Sequence, residues 1–241
     1  VPTDFWDPAF WSYTTPLLWK GLQYTLLITV LGIAVALVTA FVAGLGRLSE
    51  HRPARWISLG FIEVFRGTSL VAQLFFFFYA LPQFGVQLSP IAAGVIALGL
   101  NEGAYAAEIV RGSIQGRTAG QNEACIALNM GKTLRMRRVL IPQSVPTMLP
   151  SFGNVMVDLL KNSSLVSFIT VTELTTMAQF IRNDMGRTAT VFLLVLVIYF
   201  ILSQVLALLS RFLEQHFAID KTRRSIFRGT RRLDPVGGGI G

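Results

Sequence analysis

Charge is what this sequence has least of: Asp, Glu, Lys and Arg together make up 14% of its 241 residues, against roughly 25% in ordinary soluble domains. With 52% hydrophobic residues, the implied solvent is lipid. Cysteine is nearly absent. Cys125 stands alone, which excludes a disulfide framework or a Cys-rich metal site within the chain. Histidine occurs only as His51 and His216, far apart. No phosphate-binding loop occurs: Lys132 follows Gly131, but the rest of that motif is missing. GxSxG and HExxH are missing as well. No catalytic residue, no metal ligand and no bound nucleotide is therefore expected in this chain, and a membrane-embedded enzyme has no constellation to work with. No internal repeat is visible, which argues against an ion-driven secondary transporter built from repeats.

What is present is a set of long apolar runs. A spanning helix needs about 20 mostly apolar residues. Gly21 to Gly46 and Thr188 to Ser210 contain no charged residue. Gly67 to Asn101 is also uncharged but too long for one crossing, and Leu81-Pro82-Gln83-Phe84-Gly85 breaks it with turn-forming residues. Two helices are expected there. Val139 to Val157 is uncharged but carries Pro142, Pro146 and Pro150, which kink a helix yet are tolerated where neighbours satisfy the freed carbonyls.

The basic residues set the orientation. Arg47 to Arg55 holds three, Arg111 to Arg138 six, and the tail from Arg211 onward seven of the 21 Lys and Arg residues. Positively charged loops stay cytoplasmic, and this spacing closes with five transmembrane helices, the N-terminus outside and the C-terminus inside. The fold class expected is an all-α membrane protein. The net charge of +8 is read as topology plus anionic lipid, with no nucleic acid. Residues 1–20, with Trp6, Trp11, Tyr13 and Trp19, lack the pattern of a signal peptide and read as an outer interfacial segment. Residues 21–212 form the transmembrane domain and residues 213–241 a basic cytoplasmic tail.

Between the third and fourth helices, residues 111–142 carry a polar loop with helical pattern. Ala124, Ala127, Leu128 and Leu134 recur near helical spacing, and Asn122 suits a helix start. The segments Glu123-Ala124-Cys125, Ile126-Ala127-Leu128-Asn129-Met130 and Val139-Leu140-Ile141-Pro142 resemble the EAA loop of ABC-importer permeases. Asn129 stands at that pattern's glycine, Val139 at its isoleucine and Ile141 at its leucine. A left-handed turn between two short helices accepts Asn best after Gly, so the turn is expected to survive. Cys125 in place of an alanine reads as a buried, inert thiol. Further segments around Glu63 to Leu74, Tyr105 to Gly112 and Leu160 to Ser167 are similar to permeases of the polar amino acid type. Asn101 to Tyr105 and Glu123 to Met130 look closest to the ectoine and hydroxyectoine branch.

The resemblance implies an importer subunit of the bacterial cytoplasmic membrane. ATP and Mg would sit on a separate ATPase dimer, beside a second permease, identical or homologous, and an extracytoplasmic substrate-binding protein. Glu123, Ala124, Asn129 and Gly131 would couple to the ATPase. Charged residues inside spans are expensive and functional by default. Glu63 and Arg66, like Asp158 and Lys161, are three apart on one helical face; mutual neutralisation and substrate contact both remain open for each pair. Glu108 and Arg111 read as a structural pair. Glu102 has no basic residue within four positions and suits a cavity wall for a substrate ammonium. Arg66, Lys161, Asn162 and Ser163 are the candidate donors to a carboxylate. The resemblance ranks Asp158 and Asn162 with Glu102. Gln73 and Gln179 read as path-lining or as interhelical hydrogen bonds. The run Phe75 to Phe78 reads as packing and lipid contact. This half of the importer either binds substrate or is the non-binding half of a heterodimer.

Overall fold

A computed structural model describes residues 7–116 and 119–217. Among these the chain is helical throughout, with no strand. Helix α1 runs from Pro8 to Arg47, capped by the Asp7 side chain, which accepts from Ala9 N at 3.0 Å. Residues 8–20 are thus the first turns of the same helix as the first long apolar run, and no backbone break marks residue 21. At 1.5 Å per residue, the 40 residues span about 60 Å. Val30, Val38 and Val42 are each more than three-fifths exposed. They lie on one face at four- or eight-residue spacing, the stripe a helix offers to lipid.

The second run departs from a simple span. Helix α2 (Arg52–Gly67) ends, and α3 (Leu70–Phe75) begins after a bend of 106°. From α3 the chain continues through a π turn (Phe76–Ala80) and a 3-10 turn (Leu81–Phe84) to Gly85, which closes the turn at φ 86°. In the phenylalanine run, Phe77 and Phe78 pack on the core while Phe75 and Phe76 are exposed, in keeping with packing and lipid contact.

Helix α4 (Pro90–Gln115), capped by Ser89, is the most enclosed element. It lies along α1 through small residues four apart: Gly32, Ala36, Ala40 and Gly44 on α1, Gly99, Gly103 and Ala107 on α4. A β-carbon on Gly99 would stand 2.5 Å from Val35, and one on Gly103 2.7 Å from Thr39. Membrane helices gain no hydrophobic drive from each other's company, so such close backbone approach is what holds them.

Helices α5 (Ala119–Ala127) and α6 (Lys132–Arg135) form the polar knob. A π turn (Met136–Leu140) leads into α7 (Ile141–Asn162), which keeps Pro146 and Pro150 inside it. A 3-10 stretch (Ser163–Ile169) continues this limb, and α8 (Leu174–Met185) follows after a bend of 54°. Helix α9 (Thr188–Phe217) exposes Leu196, Phe200, Leu208 and Phe212. Residues 213–217 of the expected tail extend α9, and the remainder lies outside the described residues.

By length and apolarity α1 and α9 can each cross a membrane, and up to four crossings result if each bent pair is one span. The core joins α1, α3, α4 and α7 around Ile28, Leu74, Leu98 and Leu159.

The α1–α4 seam leaves no room for a methyl group. Gly99→Ala is expected to lower the stability of the purified chain by about 1–3 kcal/mol, whereas Gly60→Ala, with nothing within 4 Å of its β-carbon, raises it by about 0.5–1 kcal/mol, the gain of replacing glycine inside a helix. Thermal unfolding in detergent measures both.

Candidate functional site

The break between α2 and α3 faces a cavity of about 770 Å³, walled by residues 68–71, by α4 and by α7. Its size falls within the range of small-molecule sites, about 300–1,000 Å³. Glu102 lies on this wall, 6% exposed. Its Oε1 accepts a hydrogen bond from Asn162 Nδ2 of α7 at 2.8 Å. Asp158 and Lys161 line the same space one turn apart, with Nζ and Oδ1 at 3.6 Å and both side chains more than half exposed. Four of the sequence-derived candidates therefore converge.

Two do not. Ser163 is fully buried and its hydroxyl donates to the Leu160 carbonyl at 2.7 Å, so it satisfies the end of α7 and does not line the cavity. Arg66, in the last turn of α2, does not line the cavity and lies over the ring of Tyr105, which does, at 5.2 Å. No ion pair joins it to Glu63 among the described residues, and both are exposed. Glu108 is held by Arg111 through bonds of 2.9 and 2.6 Å and faces Arg47 at 3.9 Å, as the spacing suggested.

Sequence reasoning missed Ser151 and Asn154, which also line the cavity. The signal is there: Ser151, Asn154, Asp158 and Lys161 recur every three or four residues, one polar stripe on an otherwise apolar helix. It also missed Thr68 and Ser69, which reach the wall only because the chain turns at that point. Gln73 is buried and hydrogen-bonded between helices, while Gln179 is exposed.

The knob carries the second set of candidates. Helix α5 starts at Ala119, ahead of Asn122. Its end is closed by Met130 N donating to Cys125 O at 3.0 Å and Asn129 N to Ile126 O at 2.8 Å, with Asn129 left-handed at φ 55°. This is the Schellman arrangement that ordinarily takes glycine, so the turn survives the substitution. Cys125 is buried. Glu123 and Ala124 are exposed, beside Ile126 at 57% and Leu128 at 75%. Lys132 pairs with Glu50 of the loop between α1 and α2, and this contact holds the Glu50 carboxyl below the usual carboxylate range.

A helical membrane fold with a polar cavity at a broken helix and an exposed knob defines a transport subunit. The family of binding-protein-dependent transport system inner membrane components matches residues 29–219. The chain is similar to the probable amino-acid ABC transporter permease protein y4tF of Sinorhizobium fredii, 44% identical over 81% of this chain and 83% of that one. To the glutamine transport system permease protein GlnP of Escherichia coli it is 37% identical, over 88% and 97%. A crystal structure of an amino acid ABC transporter with histidines superposes with a TM-score of 0.82 at 35% identity, covering 90% of this chain and all of that one. The chain belongs to this family: it is the multi-pass inner-membrane permease subunit of an ABC importer of the polar amino acid type. It is not the catalytic subunit; ATP binds on a separate ATPase, and a binding protein completes the assembly. The ectoine branch is not supported by these relatives.

The left-handed turn gives a direct check. Asn129→Gly is expected to be silent, while Asn129→Val costs about 1–2 kcal/mol, the penalty of that conformation for a residue with a β-carbon. Thermal unfolding of each variant in detergent measures it.

Proposed function

We propose that the cavity between α3, α4 and α7 is where the importer holds its substrate, a zwitterionic polar amino acid, during passage. The observation that carries this is the Glu102–Asn162 bond of 2.8 Å across two helices. It fixes a carboxylate on the wall of a cavity at a depth where a lone charge is costly. Glu102 receives the substrate ammonium, with Asp158 beside it; Lys161 and the free hydrogen of Asn162 face the carboxylate. Arg66 acts one step back, through the ring of Tyr105.

The chain crosses the membrane five times, N-terminus outside and C-terminus cytoplasmic. Helix α4 counts as a crossing beside α1, α9 and the two bent pairs; Asn101 and Glu102 lower its apolarity without shortening it. The knob then lies on the cytoplasmic side. Glu123, Ala124, Asn129 and Gly131 fit it to one ATPase of a dimer whose ATP and Mg drive the cycle, and the exposed Ile126 and Leu128 supply the apolar contact. A second permease, identical or homologous, and surrounding lipid complete the partners, with no role for nucleic acid.

Glu102→Gln should raise the KM for uptake about 10- to 100-fold, the loss of a hydrogen bond to a charged group worth roughly 1.5–3 kcal/mol, at unchanged protein level. Unchanged kinetics would make this chain the half of a heterodimer that does not bind substrate. Glu123→Arg should abolish uptake and leave membrane insertion intact; persistent uptake would overturn the docking assignment.

A further inference from the structure

Gln73 lies outside the cavity wall, 8% exposed, in the second turn of the helix that follows the break. Its carboxamide is at the centre of a closed hydrogen-bond network. Gln73 Nε2 donates to Phe65 O at 2.9 Å and to Thr68 Oγ1 at 2.7 Å. Asn101 Nδ2 of α4 donates to the same Phe65 O at 2.9 Å and to Gln73 Oε1 at 3.1 Å. Thr68 Oγ1 in turn donates to Val64 O at 2.7 Å. Phe65 and Val64 belong to the last turn of α2, whose carbonyls have no partner within the helix. In a water-poor bundle such groups must be met by side chains.

A backbone carbonyl only accepts. Both carboxamides must therefore turn their NH2 groups toward Phe65 O, and their orientation follows from chemistry. Every donor hydrogen of Gln73, Thr68 and the Asn101 amide is then used. Asn101 Oδ1 is left without a donor among the described residues, on a side chain that lines the cavity next to Glu102.

We propose that Gln73 is a positioning residue for substrate: it staples the 106° corner onto α4, so that Thr68 and Ser69 form the cavity wall and Asn101 offers its oxygen to the cavity. The link to substrate rests on the reading of this cavity as the substrate site, whereas the staple itself does not. Two side chains that the wall needs, one on each helix, are oriented by a group that touches neither cavity nor substrate. The adjoining acceptors Asn101 Oδ1 and Glu102 favour a ligand that presents N–H donors there.

Gln73→Met keeps the length and volume of the side chain and removes the network. In the complete transporter, hydrogen–deuterium exchange should rise about tenfold in peptides covering residues 64–76, as expected when a corner loses hydrogen bonds of ordinary strength. Peptides from α7 should not change. Unaltered exchange at the corner overturns the staple whatever the cavity binds. In proteoliposomes, uptake of radiolabelled L-glutamine or L-histidine, whichever the wild-type complex transports, should show KM raised about tenfold with kcat altered by less than about twofold. A deprotected corner with unchanged KM overturns the link between the staple and substrate, and leaves Gln73 a fold element only. If Gln73→Met does not accumulate, Gln73→Glu carries the same two measurements, because its carboxylate sets an acceptor against Phe65 O.

Discussion

Backbone carbonyls at the depth of a bilayer core have no water to bond, so a chain that breaks a helix there must meet the freed groups with its own side chains. This permease breaks its helices twice, with a bend of 106° beside the cavity and one of 54° at residues 170–173. At the first break Thr68, Gln73 and Asn101 cover Val64 and Phe65. Where α7 passes into the 3-10 stretch, Ser163 and Ser164 cover Leu160 and Lys161, and at the second break Thr176 covers Val171. Glu173, fully buried, caps α8 and accepts from Tyr199 of α9. Many polar residues of the bundle serve the backbone. Glu102, Asp158, Lys161 and part of Asn162 face the cavity instead, together with Ser151 and Asn154.

The breaks need a rigid partner, and α4 provides it. Its small residues let it lie against α1 at a separation that excludes even a methyl group at Gly99. The seam fixes Asn101 and Glu102 relative to the long lipid-facing α1, so the cavity wall on this side is anchored to the body of the subunit. The knob is tied back by Lys132 to Glu50, in the loop that follows α1. The knob is thereby linked to the same element that carries the seam.

Much of this was legible in the residues. Uncharged runs gave the long helices because apolar length is the dominant signal in lipid, and the isolated Glu102 pointed to a cavity because an unpaired intramembrane charge demands one. Asn129 announced its left-handed turn because few other residues tolerate one. The rest was hidden for physical reasons. Arg66 and Ser163 have the right chemistry for a substrate carboxylate, but which way a side chain faces depends on where its helix ends. Arg66 stands where α2 stops, and Ser163 bonds back to its own turn. The bend after Gly67 is marked only by the short Gly67-Thr68-Ser69 cluster beside Arg66, which reads equally as the start of an uncharged run, and so Thr68 and Ser69 were not assigned to the wall.

The most direct measurement is a cryo-electron microscopy structure of the complete transporter, with its ATPase, in the presence of L-glutamine or L-histidine. Density for the amino acid in the cavity, with its ammonium against Glu102 and its carboxylate toward Lys161, is the expected result. An empty cavity with the amino acid bound elsewhere in the permease, or a cavity filled by the partner subunit, would contradict it.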